Sequence, residues 1–164
     1  MKHIKVYLFF LALIGAITTV SAQDKGIYGA LNKLIKVNDL FYTDKYYDKG
    51  FLFSISIGVN PKGIIDTVMF SHYRNDELGQ LINFNEIKNG LKKNKTDFLA
   101  HKNEMLVLLV MIIRGGNALT MLTNGNQLRE NWINIIDSSR ELSKRKQFLL
   151  TPMLISSTGK KGEF

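Results

Sequence analysis

FLFSISIGVNPKGIIDTVMFS, residues 51–71, is the stretch on which the fold turns. Phe51, Phe53, Ile55, Ile57 and Val59 alternate with Ser54, Ser56 and Gly58, and a period of two is the mark of a half-buried strand. Asn60-Pro61-Lys62-Gly63 then supplies what a type I turn followed by a bulge demands. Asn can bond back to the backbone, Pro presets φ, and Gly accepts the positive φ at the fourth position. Ile64 to Ser71 is β-branched and apolar with looser alternation, as expected of a strand covered on both faces for part of its length. The stretch therefore predicts a β-hairpin, and the turn is explained by geometry, with only Lys62 left free for another task.

Working outward, Ile27, Ala30, Leu31, Leu34, Val37 and Phe41 recur at three- and four-residue steps, which predicts an amphipathic helix over 27–41. The following FYTDKYYDKG reads as a connection whose Tyr42, Tyr46 and Tyr47 serve either packing or recognition. Beyond the hairpin and the polar SHYRNDE segment, Asn83 caps a short helix with Glu86 three residues on. Phe84, Ile87 and Leu91 lie on one face of that helix and Lys88, Lys92 and Lys95 on another. MLVLLVMII, residues 105–113, is a continuous apolar run too short to cross a bilayer and reads as a buried central strand. Leu128, Trp132, Ile135, Ile136 and Leu142 predict a long helix ending near Lys146, and Phe148 to Ser156 a last strand that Pro152 confines to an edge or a bulge. The fold class expected is α+β: an antiparallel sheet built on a β-hairpin with a helix-strand extension, packed by helices.

Residues 1–22, MKHIKVYLFFLALIGAITTVSA, have the basic start, apolar centre and small-residue end of a secretory signal peptide, with cleavage expected before Gln23. Residues 23–164 then form a single α+β domain with a loose tail from about 157. The expected location is the periplasm or outside the cell, with no stable membrane span after cleavage. With Lys2 and Lys5 gone, 22 basic residues become 20 against 14 acidic, a net charge of +6. Such a charge suits an anionic surface, provided the fold gathers the runs Lys92, Lys93 and Lys95, Lys144 to Lys146, and Lys160 with Lys161. Nucleic acid is not an expected partner of an exported chain. The chain has no cysteine, so stability rests on packing the 45% of residues that are apolar.

Chemistry-bearing patterns are sparse. The absence of cysteine excludes thiol catalysis and thiolate metal sites. The densest polar cluster, Ser71-His72-Tyr73-Arg74-Asn75-Asp76-Glu77, offers a base, a cation and carboxylates; His72, Arg74 and Asp76 would be the site of a small hydrolase or lyase. His72 and Asp76 alone are too few for a metal, and RGGNALT lacks the residues of a phosphate loop or a dinucleotide fingerprint. No cofactor, metal or catalytic residue is expected on the principal reading.

FLFSISIGV, NPKG, IIDTVMFSH, NFNEIKNGLKKN and MLVLLVMIIRG follow the order strand, turn, strand, helix, strand. In that order residues 51–114 resemble the C-terminal domain of TonB-type energy transducers. The resemblance implies a periplasmic module whose sheet edge pairs with an extended peptide of an envelope protein. The aromatic and proline signature of that family is missing from KTDFLAHKNE, and no Pro-rich spacer precedes the domain. What the resemblance implies is therefore a non-catalytic envelope binding module rather than a transducer, with the small hydrolase around 71–77 as the alternative.

Overall fold

The computed structural model describes residues 25–71, 76–115 and 145–157. Residues 1–22, expected to be a signal peptide, the helix expected over 128–146 up to its last two residues, and the tail beyond Ser157 lie outside these. Helix α1 covers 25–34. Strands β1 (Gly50–Val59) and β2 (Ile65–Phe70), helices α2 (Asp76–Leu81) and α3 (Phe84–Lys93), and strand β3 (Glu104–Arg114) follow. Two short strands, β4 (Lys146–Leu149) and β5 (Met153–Ser157), end the described chain.

The hairpin forms where the turn residues place it. Gly63 N–H donates to the Asn60 carbonyl at 2.9 Å, Asn60 Oδ1 accepts from the Lys62 and Ile64 amides, and Gly63 has φ 82°. The register shifts between Gly58 and Val59, so that Gly58 faces Thr67 while Val59 faces Ile65, and Asp66 is the extra residue of a bulge. β3 lies antiparallel against the other side of β1, from Gly50 opposite Ile113 to Gly58 opposite Met105. Met105 to Ile113 is thus a central strand, as its unbroken apolar run predicts.

The sheet runs β2-β1-β3, with β4 and β5 end to end on the far side of β3. Both pair with β3 in parallel, so the sheet is mixed, though largely antiparallel. Parallel neighbours require a crossover, which no tight turn can supply. Pro152 sits in the break between β4 and β5, where its missing N–H is tolerated at an edge. Leu150 N–H still bonds Val107, and the carbonyl of Thr151 accepts from Tyr28 Oη at 2.8 Å, which ties α1 to this last strand.

One face of the sheet carries the core. Phe53, Ile55 and Ile57 of β1, Leu106, Leu108 and Val110 of β3, and Leu150 and Met153 pack there with Ile27, Leu31 and Ile35 of α1 and Ile87 and Leu91 of α3. Asn83 Oδ1 accepts from Glu86 N–H at 3.1 Å and so caps α3, as expected. Phe84 then stands edge-on to both Phe53 and Phe70, which locks α3 across the hairpin.

Three expectations change. The first helix stops at residue 34, and Val37 forms an isolated bridge with Ile82, followed by 3-10 turns at Asp39–Tyr42 and Asp44–Tyr46. Asn38 causes the break: its Oδ1 caps the Leu40 amide, its backbone amide bonds Leu81, and its side-chain amide reaches the Gln80 carbonyl. Phe41 is still buried, so the periodicity marked a buried face without marking a continuous helix. Secondly, β1 is not half-buried: Ser54 is 1% exposed and Ser56 is buried too, on the same side of the sheet as buried Leu52 of β1 and Met105 and Val107 of β3. Finally, Lys146 belongs to β4 instead of ending a helix.

Candidate functional site

The polar segment after β2 was the sequence candidate for catalysis, and its described residues serve the fold. Ser71 N–H donates to the Ser54 carbonyl at 3.0 Å and its hydroxyl oxygen accepts from the Ser54 amide, which extends the hairpin ladder by one pair. Asp76 opens α2 with its side chain exposed, and Glu77 accepts two bonds from Lys49 Nζ at 2.7 and 2.9 Å. His72 and Arg74 lie outside the described residues. Nothing described brings a base and a nucleophile together around Asp76.

The two long sides of the sheet differ. The outer side of β3, the natural place for an added strand in the resemblance, is filled by residues 146–157 of the same chain. The new edge they create is broken at Pro152, and it leaves Leu149 and Leu154 62% and 55% exposed. β2 pairs only with β1 among the described strands. Because Ser71 bonds inward to Ser54, the alternate residues Met69 and Thr67 also direct their backbone groups to β1. Val68 and Phe70 therefore direct theirs outward. The side chains of Thr67, Met69 and Phe70 are all partly exposed beside this edge.

A charged clasp crosses the sheet at one end of β2. Arg145 donates from Nη1 and Nη2 to Asp66 Oδ1 and Oδ2 at 2.8 and 2.6 Å, a bidentate pair. A Cβ on Gly58 would stand 2.6 Å from Arg145 Nη1, so the guanidinium crosses where the strand lacks a side chain. The hydrogen bond from Arg145 holds the Asp66 carboxyl below the usual carboxylate range against the opposing effect of burial, and the same bond raises Arg145. A depressed carboxylate contributes stability that is present above its unfolded value of about 3.9 and is lost as pH falls through the folded value. Asp66→Asn is accordingly expected to lower the unfolding free energy read from urea titration at neutral pH by under about 1 kcal/mol, since both side chains are partly solvated. The deficit should close in acid; an equal deficit at both pH values would show that the clasp acts by packing alone.

Of the lysine runs expected to make an anionic-surface patch, Lys92, Lys93, Lys95, Arg145 and Lys146 are among the described residues. Lys93 shares a groove of about 510 Å³ with Lys25 and Lys33 of α1, lined also by Gly26, Gly29, Gly90 and the carboxylate residue Asp97. Arg145 is engaged by Asp66. Lys144, Lys160 and Lys161 lie outside the described residues.

Two polar residues were not singled out from the sequence. His101 Nδ1 lies 2.8 Å from Glu104 Oε2, with its ring against Phe148 and its buried Nε2 unpartnered among the described residues. The three-residue spacing of His101 and Glu104 was the only available signal. Arg114 ends β3 wholly buried, with Nη1 donating to the carbonyls of Phe41 and Thr43. A lone arginine closing an apolar run gives no hint that it turns inward. No grouping of three or more potential metal ligands occurs among the described residues, and no helix among them is long and apolar enough to cross a membrane. Comparison of the chain with protein-family models, with curated proteins and with solved structures gives no match.

Proposed function

We propose that this is an exported, non-catalytic binding module of the cell envelope that receives an extended segment of a protein partner along the outer edge of β2. The observation that carries the reading is the disposition of the sheet edges. β3 is paired on both sides, the 146–157 edge is interrupted at Pro152, and β2 offers a regular run from Thr67 to Phe70, beyond the bulge at Asp66, paired on one side only among the described strands. Outward backbone groups at Val68 and Phe70 would supply the ladder bonds of an added strand. Side chains at Thr67, Met69 and Phe70 would supply the choice of sequence. An anionic surface is the second partner class, now resting on Lys25, Lys33 and Lys93.

The test is site-specific photo-crosslinking in the intact envelope of cells expressing the full chain, with the cross-linker at Met69 or at Leu154. The expected result is one discrete protein adduct from position 69, absent from position 154. It should be lost in Val68→Pro, which removes an outward N–H that β1 does not use. Equal adducts at both positions, or an adduct indifferent to Val68→Pro, would remove strand addition at β2 as the function. Mass spectrometry of the mature N-terminus tests export in the same preparation, with Gln23 the residue expected first.

A further inference from the structure

Arg114 poses a question that its packing does not answer. Its side chain is 0% exposed, and it forms no ion pair with a described carboxylate. A buried charge without a partner is costly, and so is each buried donor left without an acceptor. Capping the carbonyls of Phe41 and Thr43 uses Nη1 alone. Nε and Nη2 are both buried and without a hydrogen-bond partner among the described residues. These two nitrogens form one side of the guanidinium, with two parallel N–H groups spaced to match the two oxygens of a carboxylate.

We propose that Arg114 anchors a binding site for an organic carboxylate, which the Nε and Nη2 edge grips side-on. The surroundings suit a captured anion. The faces of Tyr42 and Tyr47 each lie 5.9 Å from the guanidinium carbon, which stabilises the cation while leaving its hydrogen-bonding edge unused. Tyr42 is 43% exposed, stands at the end of a single 3-10 turn and has its ring beside the guanidinium, so its rotation would open the buried edge to solvent. The base of the site is rigid. Arg114 N–H bonds the Lys49 carbonyl and Gly115 N–H the Ser157 carbonyl, so three segments hold the residue in place. This assignment is independent of strand addition: Arg114 lies beside the start of β1, whereas β2 pairs with residues 55–59.

The experiment follows the Arg114 Nε–H resonance of the full mature chain by NMR during titration with sodium acetate, with acetamide, sodium chloride and inorganic phosphate as comparisons at matched ionic strength. Acetate is expected to move the resonance along a saturating curve, while acetamide and chloride leave it in place. Tyr42→Ala should tighten acetate binding several-fold by opening the entrance. Arg114→Lys, which keeps the charge and can cap the same carbonyls but lacks the fork, should abolish the acetate-dependent shift of the Tyr47 amide. Should that variant fail to fold, the wild-type and Tyr42→Ala titrations decide the matter. A resonance that ignores acetate, responds equally to acetamide, or responds to phosphate alone overturns the proposal.

Discussion

Phe53→Ala is expected to destabilise the fold by about 3–5 kcal/mol, the usual cost of emptying a buried aromatic site. Phe53 is 2% exposed on the strand that β2 and β3 flank, and its ring meets Phe84 at 5.4 Å in an edge-on contact. Phe84 in turn meets Phe70 at 4.8 Å, so the three rings join β1, β2 and α3. Removing the Phe53 ring leaves a cavity walled in part by the sheet, and a sheet cannot collapse inward without disturbing its ladders. Against a total stability of about 5–15 kcal/mol for a domain of this size, the loss is a large share. A urea titration checks it: the midpoint should fall steeply with an unchanged slope, whereas Leu154→Ala at the exposed edge should change the unfolding free energy by under about 0.5 kcal/mol. If Phe53→Ala left the midpoint in place, α3 would not be packed on the hairpin, and the geometry of the β2 edge would have to be redrawn.

Gly115→Ala should cost about 3 kcal/mol, from two sources acting together. Gly115 has φ 84°, a conformation that costs an L-residue about 1–2 kcal/mol. Its new methyl would also stand 2.2 Å from Asp48 Oδ1, 2.9 Å from Asp48 N and 3.2 Å from Asp48 Cα. The carboxylate can swing aside, but the backbone of Asp48 cannot, because its φ of 57° is already confined and Arg114 is bonded to Lys49 beside it. Overpacking of that kind adds about 1–3 kcal/mol. The same methyl at Gly29, which has open space within 4 Å, should stabilise helix α1 by roughly 0.5–1 kcal/mol. Opposite signs for one chemical change, read as thermal midpoints of the two variants, would verify the close approach of residues 48 and 115. A harmless Gly115→Ala would refute that approach, and with it the rigid base assigned to Arg114.

The parts that were legible in the sequence share a physical character: each depends on residues close together in the chain. The hairpin follows from strand alternation around Asn60, Pro61 and Gly63, the cap of α3 from Asn83, and the edge position of the last strand from Pro152. The break of the first helix at Asn38 was missed because its cause is distant. Asn38 is held by Gln80, 42 residues on, and by its neighbour Leu81, and propensity carries no trace of those bonds. The candidate site was less legible still. Ser71 belongs to the ladder and Glu77 to Lys49, while Arg114 looks in sequence like the soluble end of an apolar strand.

The sequence by itself determined the α+β class, the hairpin and its turn, the central place of the third strand and the edge or bulge at Pro152. Local backbone chemistry and hydrophobic period suffice for these. Only the tertiary structure decided that residues 146–157 run parallel to β3 and occupy its outer side, that Arg145 crosses over Gly58 to Asp66, and that Arg114 turns inward between two tyrosines. Each of these joins segments tens of residues apart in the chain. Their energies arise when surfaces meet, and no window along the chain contains both partners.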